Sequence, residues 1–437
     1  MNYLQNSSHS VIACCRSLKA IPVMAVLAMA TLPTSTFAAK GGGVSTPPPP
    51  SPYTVEAIPR AGWGNFRSAD HMNINGDVAG EVYQTIAGIT TDREGFSWKR
   101  GAAAVEVLPA LRALGHTVSR PKGINADGSR IFGYSSPGAY QNAWPVMWVR
   151  QSGGGFTAID LKDKVAVHLD TYFPLWKISS FHGHDGPGPV NFMSSGGEFI
   201  AVTGLSSLEW NNTTPEVCLI VRLNWQNPVS PEIARMWVIG ALPNPDLGVP
   251  GFRGVMRAIR EGSKGDEPVL YVAGTQSQGD FRPAMVAELN LTTFQMSMRT
   301  MMPTGEDRYR SMLMSDVNSM GEAIGSAVWN DEPNTRHFIW SPDGSYDFIP
   351  SLPGSTTRAV ARGLNDAGQV VGINSTKNGV TAYLWNALDG SIPVDLNAVT
   401  GGTWKLSWAR AINNKKEIIT SSSSSQGQSL YLLKPKP

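Results

Sequence analysis

Four basic residues, Lys122, Arg257, Arg362 and Arg410, each stand three positions before a turn-forming Asn or its equivalent in a recurring pattern, and Asp70 and Ser315 hold the same place in two further copies. If the copies are arranged about an axis, these side chains converge on it. Guanidinium and ammonium groups gathered between low-dielectric walls focus a positive potential suited to carboxylate or sulfate groups. Arg120, Arg310 and Arg358 would extend the same funnel. The plainer account is a wet channel filled by polar side chains, with the cations paired to Asp70 and Asp316. A second candidate is the loop Phe181-His182-Gly183-His184-Asp185. His182, His184 and Asp185 offer imidazole and carboxylate ligands for a divalent metal such as zinc, and His168 and Asp170 are near enough in sequence to add another. The plainer account there is a Gly- and Pro-rich loop that carries His and binds nothing.

Catalysis by elimination next to a sugar carboxylate needs a general base and a cation to neutralise the acid group. His182 or His184, with Tyr172 and the arginine set, supplies those types. Glycoside hydrolysis would want a facing pair of carboxylates, and no pair stands out. No nucleophile elbow, His-Glu-x-x-His helix, phosphate loop or dinucleotide fingerprint occurs in the chain.

The elements that must position these residues are short strands. Residues 358–399 read as a four-stranded unit. Arg358 to Leu364 is followed by the turn Asn365-Asp366-Ala367-Gly368, where Asn and Asp bond their own backbone and Gly tolerates a positive φ. Gln369–Ser375 and Thr381–Trp385 alternate as half-buried strands, and Ile392–Val399 is expected to be the fourth. Copies of the turn recur at Asn73, Asn125, Asn318 and Asn413, with poorer copies from Val190 and Met256. That makes about seven units at a spacing of roughly 40 to 50 residues, the period of propeller blades. Trp98, Trp148, Trp340 and Trp385 recur on the third strand, as core between blades. Trp63, Trp176, Trp210, Trp225 and Trp404 fall outside that register, in connections or turns; the plainer account is core or loop anchoring, and exposed at one face they could stack on sugar rings or meet a partner protein.

The units at Leu364–Asp395 and Val317–Ile349 resemble the probable extracellular repeats named for a His-Ala-Phe signature. That family's pattern is an Asn-x-x-Gly hairpin, then His-Ala-Phe-x-Trp and an Asp-Leu strand. Here the tripeptide has drifted to Arg336-His337-Phe338-Ile339-Trp340, Thr381-Ala382-Tyr383-Leu384-Trp385 and Glu94-Gly95-Phe96-Ser97-Trp98. The resemblance implies a β-propeller-like fold and export, and it transfers no catalytic residue.

The last unit stops at Pro437 with three strands, and residues 53–59 read like its missing fourth. A ring whose ends share a blade leaves no open edge. The expected fold is therefore all-β: a seven-bladed β-propeller of four-stranded meanders, with six or eight blades left open, closed by the N-terminal strand 53–59. Residues 1–38 read as a signal peptide, with Arg16 and Lys19 before an apolar run and Thr36-Phe37-Ala38 at the cleavage site. Residues 39–52 form a Gly/Pro-rich linker, and 53–437 the propeller domain. Losing Arg16 and Lys19 with the leader takes the formal charge from +2 to zero, which argues against nucleic acid as partner. Cys14 and Cys15 leave with it, so Cys218, in an apolar strand pattern, has no intrachain disulfide partner. The chain thus reads as a secreted, periplasmic or cell-surface monomer without a transmembrane segment after signal removal. Its expected role is a binding or interaction module, with a glycan or protein partner held at a channel mouth lined by Lys122, Arg257, Arg362 and Arg410. No cofactor is required, a divalent metal at His182, His184 and Asp185 being the one candidate. The alternative is a polysaccharide lyase-like enzyme using the arginines and the His182/His184 loop.

Overall fold

A computed structural model describes residues 51–60, 65–86, 89–138, 142–173, 178–181, 190–206, 216–227, 230–241, 252–277, 283–301, 309–329, 335–402, 404–424 and 427–437. The leader and most of the linker, Trp63, Trp176, Trp210, and the loop with His182, His184 and Asp185 lie outside the described residues.

Seven four-stranded antiparallel blades follow one another in the chain. Blade 1 covers residues 66–108, blade 2 118–160, blade 3 178–241, blade 4 252–301, blade 5 309–348, blade 6 360–395 and blade 7 408–435. Blades 3 and 4 share one eight-stranded sheet, because Gly240 and Ala241 on the outer strand of the first pair with Arg253 and Phe252 on the inner strand of the second. The fourth strand of blade 7 is Tyr53–Ala57, antiparallel to Gly427–Pro435 with Val55 opposite Leu433. The ring is closed by its own two ends, as expected from the sequence.

The Asn turn explains how blades are held in register. In blade 7, Asn413 Oδ1 accepts the amides of Lys415 and Glu417, both at 3.0 Å, folding the turn on itself. Its Nδ2 donates to the carbonyl of Asn73 at 3.1 Å, in the next blade round the ring. The same bond runs from Asn318 to Asn365 (3.1 Å), Asn365 to Asn413 (3.2 Å) and Asn73 to Asn125 (3.1 Å). Between blades 2 and 3 a backbone bond, Ala126 to the Ser195 carbonyl at 2.8 Å, takes its place. A side chain with both a carbonyl and an amide group can cap its own turn and stitch to its neighbour, which an ionised Asp, having no donor, cannot do.

Where a hairpin carries a second glycine, as at Gly80 and Gly372, it has a steric cause. A Cβ on Gly372 would stand 1.9 Å from the Val360 carbonyl, and one on Gly80 2.1 Å from that of Ser68. The space above goes to an aromatic on the third strand, Tyr383 opposite Gly372 and Phe96 opposite Gly80. Between blades the filler is apolar. Ala79 and Leu108 of blade 1 pack with Ile131, Val146 and Trp148 of blade 2, and Phe66, Phe96 and Trp98 pack with Ile419, Leu430 and Leu432 of blade 7. Fully burying each large side chain contributes about 1.5–3 kcal/mol. Trp98, Trp148, Trp340 and Trp385 are all in this core, and three of them donate their indole N–H to a nearby carbonyl, of Ala102, Pro109 and Ser391. Cys218 is a buried free thiol.

Two elements differ from the sequence reading. The expected strand Ile392–Val399 is only Val394–Asp395, followed by the helical turn α2 (Leu396–Val399). Asp395 accepts the Asn397 amide at 2.8 Å and caps the turn, so local hydrogen bonding outcompetes the ladder. Lys162–Tyr172 forms an eleven-residue helix, α1, where no helix was expected. It buries only Val165 and Leu169, an i, i+4 pair too sparse to show as periodicity.

Candidate functional site

The position holding Lys122, Arg257, Arg362 and Arg410 is a β-bulge on the innermost strand of its blade. The pairing register skips between Pro121 and Gly123, Met256 and Ala258, Ala361 and Gly363, and Ala409 and Ala411. It skips likewise around Asp70 and Ser315. An unpaired extra residue bends the strand and re-aims its side chain. In blade 3 the matching residue is Asn191, bonded through its backbone to Arg257 and Ile259.

These positions surround a central cavity of about 370 Å³. Arg362 and Arg410 line it, with Asp70, Asn191 and Ser315. Lys122 and Arg257 are 7% and 4% exposed and are not among its lining. The Asn-turn residues Ile74, Ala126, Ser195, Ser319, Asp366 and Asn414 also line it, so it opens on the face carrying those turns. His71, Arg260 and Glu261 add charge or polarity that the sequence reading had not assigned to a site, and Asp316, expected there as a counter-charge, lines it too. The available signal for His71 was adjacency: it directly follows the bulge residue Asp70, as Asp316 follows Ser315.

Pairing accounts for part of the charge. Arg410 Nη1 meets Asp70 at 2.9 Å, and Arg260 lies 3.6 Å from Asp316. Burial works against ionising Asp70, but the Arg410 charge, assisted by His71 and Lys122, holds its carboxyl below the ordinary range. Burial prevails at Asp316, whose pKa is raised despite Arg260. Glu261 bonds the Ser195 hydroxyl and the Gly196 amide, and Asp366 bonds Asn414 and the Ser319 amide.

Arg362 is different. Among the described residues its guanidinium forms no ion pair, and its buried Nε has no hydrogen-bond partner. Its closest described ring is Trp408, 5.5 Å from Cζ to the centroid. Burial lowers its pKa, with Asp70 opposing. Two further buried polar atoms act electrostatically with it and also lack partners: Tyr383 Oη and His337 Nδ1. Burial raises the Tyr383 phenol and brings the His337 imidazole down to about 4. His71 is likewise driven to about 4 by burial, against the pull of Asp70, and its Nδ1 is unpartnered. On the side of blades 6, 7, 1 and 2 the cavity lining thus carries Arg362 and Arg410, with Lys122 behind it, against Asp70 and, at the turn of blade 6, Asp366, which is already bonded to Asn414 and the Ser319 amide, with His71 neutral at pH 7. That arrangement can hold an anion.

Among the described residues no group of three or more His, Cys, Asp or Glu side chains converges as a metal site. Arg120 is buried, Arg358 lines a separate surface hollow with Ser355 and Thr357, and the Arg310 side chain lies outside the described set. His168 stacks on Tyr172 at 4.5 Å on α1. No helix among the described residues is long and apolar enough to cross a membrane.

No family model matches the chain, and no curated protein does. Solved structures resemble it in fold. The β-propeller domain of the Trilobed protease from Pyrococcus furiosus is 10% identical with a TM-score of 0.48, over 86% of this chain and 95% of that one. An acylaminoacyl peptidase from Pyrococcus horikoshii is 11% identical with a TM-score of 0.47, over 85% of this chain but 52% of the peptidase, so this chain spans about half its length. An oligogalacturonate lyase in complex with manganese is 11% identical with a TM-score of 0.47, over 88% of this chain and 97% of that one. At these identities the likeness is one of fold. The chain is a seven-bladed β-propeller closed by its N-terminal strand.

Proposed function

We propose that this is an exported binding module of the extracellular-repeat type, whose ligand is an anionic glycan engaged at the mouth of the central cavity. The single observation that carries the reading is Arg362: a bulge-aimed, largely desolvated cation in the cavity wall that forms no ion pair among the described residues. A desolvated guanidinium is strongly attracted to a planar carboxylate, which it can bond bidentately. Arg410 and Lys122 stand in the same half of the wall, Arg410 already engaged by Asp70. Export rests on the leader Met1–Ala38 and on the repeat pattern, and a metal at His182, His184 and Asp185 is no part of the binding step.

The test is isothermal calorimetry of the mature chain with polygalacturonate fragments and with their methyl esters. Arg362→Ala combined with Arg410→Ala is expected to remove the binding event at the cavity from the acid-form titration, and a titration indistinguishable from wild type in that double variant would remove the cavity from the mechanism. A protein partner carrying acidic residues in place of the glycan would show as binding of neither sugar form. One observation supports the lyase-like alternative: His71, a neutral imidazole, lines the cavity alongside Arg362 and Arg410. Ultraviolet absorbance from an unsaturated product, lost in His71→Gln, would decide for that reading.

A further inference from the structure

Away from the cavity, blades 3 and 4 carry a second concentration of positive charge that fold stability does not explain. Pairing places Arg222, on the third strand Glu216–Asn224, directly opposite Arg235, on the outer strand Glu232–Ala241. Like charges directly opposite on adjacent strands repel and destabilise a sheet. Both side chains reach solvent, Arg222 with 37% of its side chain exposed.

Phe294 stands between them. It sits on the turn joining the third and outer strands of blade 4 and holds a left-handed backbone at φ 59°. Asn290 fixes that turn, accepting the amides of Thr292 and Thr293 at 2.9 and 2.8 Å. A bulky residue in this region costs on the order of 1–3 kcal/mol, and such strain gathers at ligand sites. The Phe294 ring lies 5.4 Å from the Arg222 guanidinium and 4.8 Å from that of Arg235. Trp237 backs Arg235 at 5.4 Å and faces Phe294 at 5.9 Å.

Two of the other arginines that stack on aromatics in this ring have their guanidinium edge closed. Arg150 over Phe156 is bonded by Glu106, and Arg299 over Trp340 by the carbonyls of Ser341 and Gly321. Here Arg222 has only Glu198 at 3.5 Å, and Arg235 has no acid among the described residues. A guanidinium stacked on a ring keeps its N–H edge for an anion in fixed geometry, at little further entropic cost.

We propose that Arg222 and Arg235, held by Phe294 and Trp237, form a second binding site for the carboxylates of an acidic oligosaccharide, with the half-buried rings meeting the apolar face of the sugar. In a meander, the turn between strands one and two and that between strands three and four emerge on one side. The site therefore lies on the same face of the ring as the cavity mouth. It uses none of the cavity's residues, so it stands or falls independently of the cavity reading.

The probe is trigalacturonate, with its methyl ester as the neutral control, titrated calorimetrically into the mature chain at low and moderate salt. Arg235→Ala is expected to weaken this site's uptake of the acid form at least tenfold, and salt to weaken uptake by wild type. Phe294→Gly is expected to weaken it while leaving the melting temperature unchanged or raised, because glycine relieves the left-handed strain. A chain altered only at Arg362 and Arg410 should keep this uptake. Equal uptake of acid and ester, no uptake by wild type, or undiminished uptake after Arg222→Ala plus Arg235→Ala would each overturn the site. Arg235 is exposed, so its replacement tests the site without threatening the fold.

Discussion

Replacing Asn413 with Ala is expected to destabilise the ring by about 3 kcal/mol. The side chain accepts two backbone amides, donates to Glu417 at 2.8 Å, and donates across the closing seam to Asn73. Each capping bond is worth about 1 kcal/mol, and a bond to a carboxylate about 1.5–3 kcal/mol. The Asn73 carbonyl keeps a second bond, from the Gly76 amide at 3.1 Å, so the seam loses about 1 kcal/mol there and not a full desolvation penalty. Glu417 keeps Arg100 at 2.7 Å, which lowers the total below the simple sum. With an unfolding entropy of about 0.8 kcal/mol/K for a domain of about 390 residues, 3 kcal/mol lowers the melting temperature by about 4 °C. The internal standard is Asn125→Ala. That side chain bonds only within its own turn, to Arg130 and Ser129, while the blade contact there is made by backbone. It should lose about 1–2 kcal/mol. Urea titrations followed by tryptophan fluorescence and by far-ultraviolet circular dichroism give both values, and coincident transitions justify comparing them. If Asn413→Ala cost no more than Asn125→Ala, the Asn ladder would not be what holds neighbouring blades together.

Gly372→Ala should prevent folding or cost more than about 3 kcal/mol, since its Cβ would overlap the Val360 carbonyl, whereas Gly138→Ala, with open space around it, should be neutral on the same urea titration. Arg410→Met strands Asp70 and should cost about 3 kcal/mol, but Arg362→Met removes a cation with no ion pair and should leave stability within about 0.5 kcal/mol of wild type or above it. Equal losses in the two would show that Arg362 is structural. His71 is buried neutral with its pKa lowered to about 4, so the unfolded chain binds the extra proton between about pH 6.5 and 4. Its stabilising contribution is complete above about pH 6.5 and falls away as pH drops towards 4, by about 3 kcal/mol. His71→Gln should flatten that part of the pH–stability curve, and an unchanged slope would refute the burial argument.

The parts of this molecule that could be read from sequence are those fixed by one residue type at one spacing. The Asn turn needs Asn for two jobs, the second glycine needs an absent Cβ, and the third-strand Trp needs a carbonyl for its indole. Each leaves a mark in every blade that has it. Closure by residues 53–59 was legible because an unfinished blade implies its missing strand. The bulge was not legible as a bulge. Yet its position was, since re-aimed side chains carry charge at Lys122, Arg257, Arg362 and Arg410. Which of these would line the cavity depended on blade packing, and only Arg362 and Arg410 do. α1 escaped because two buried residues suffice to dock it. The Arg222–Arg235 pair escaped because cross-strand register between divergent strands is invisible until the strands are paired.

The seam of the ring also decides where the polypeptide's ends go. The Lys436 amide donates to the Pro52 carbonyl at 2.8 Å, so head and tail leave the disc side by side. A label fused after Pro437 would be carried next to whatever the Gly/Pro tether reaches. A short bridge between the two would let the chain be recut at any other blade junction. Conversely, a chain without Leu430–Leu433 would leave one petal unfinished and the Phe66–Trp98 surface bare, so the first blade cannot complete its packing until those residues are in place.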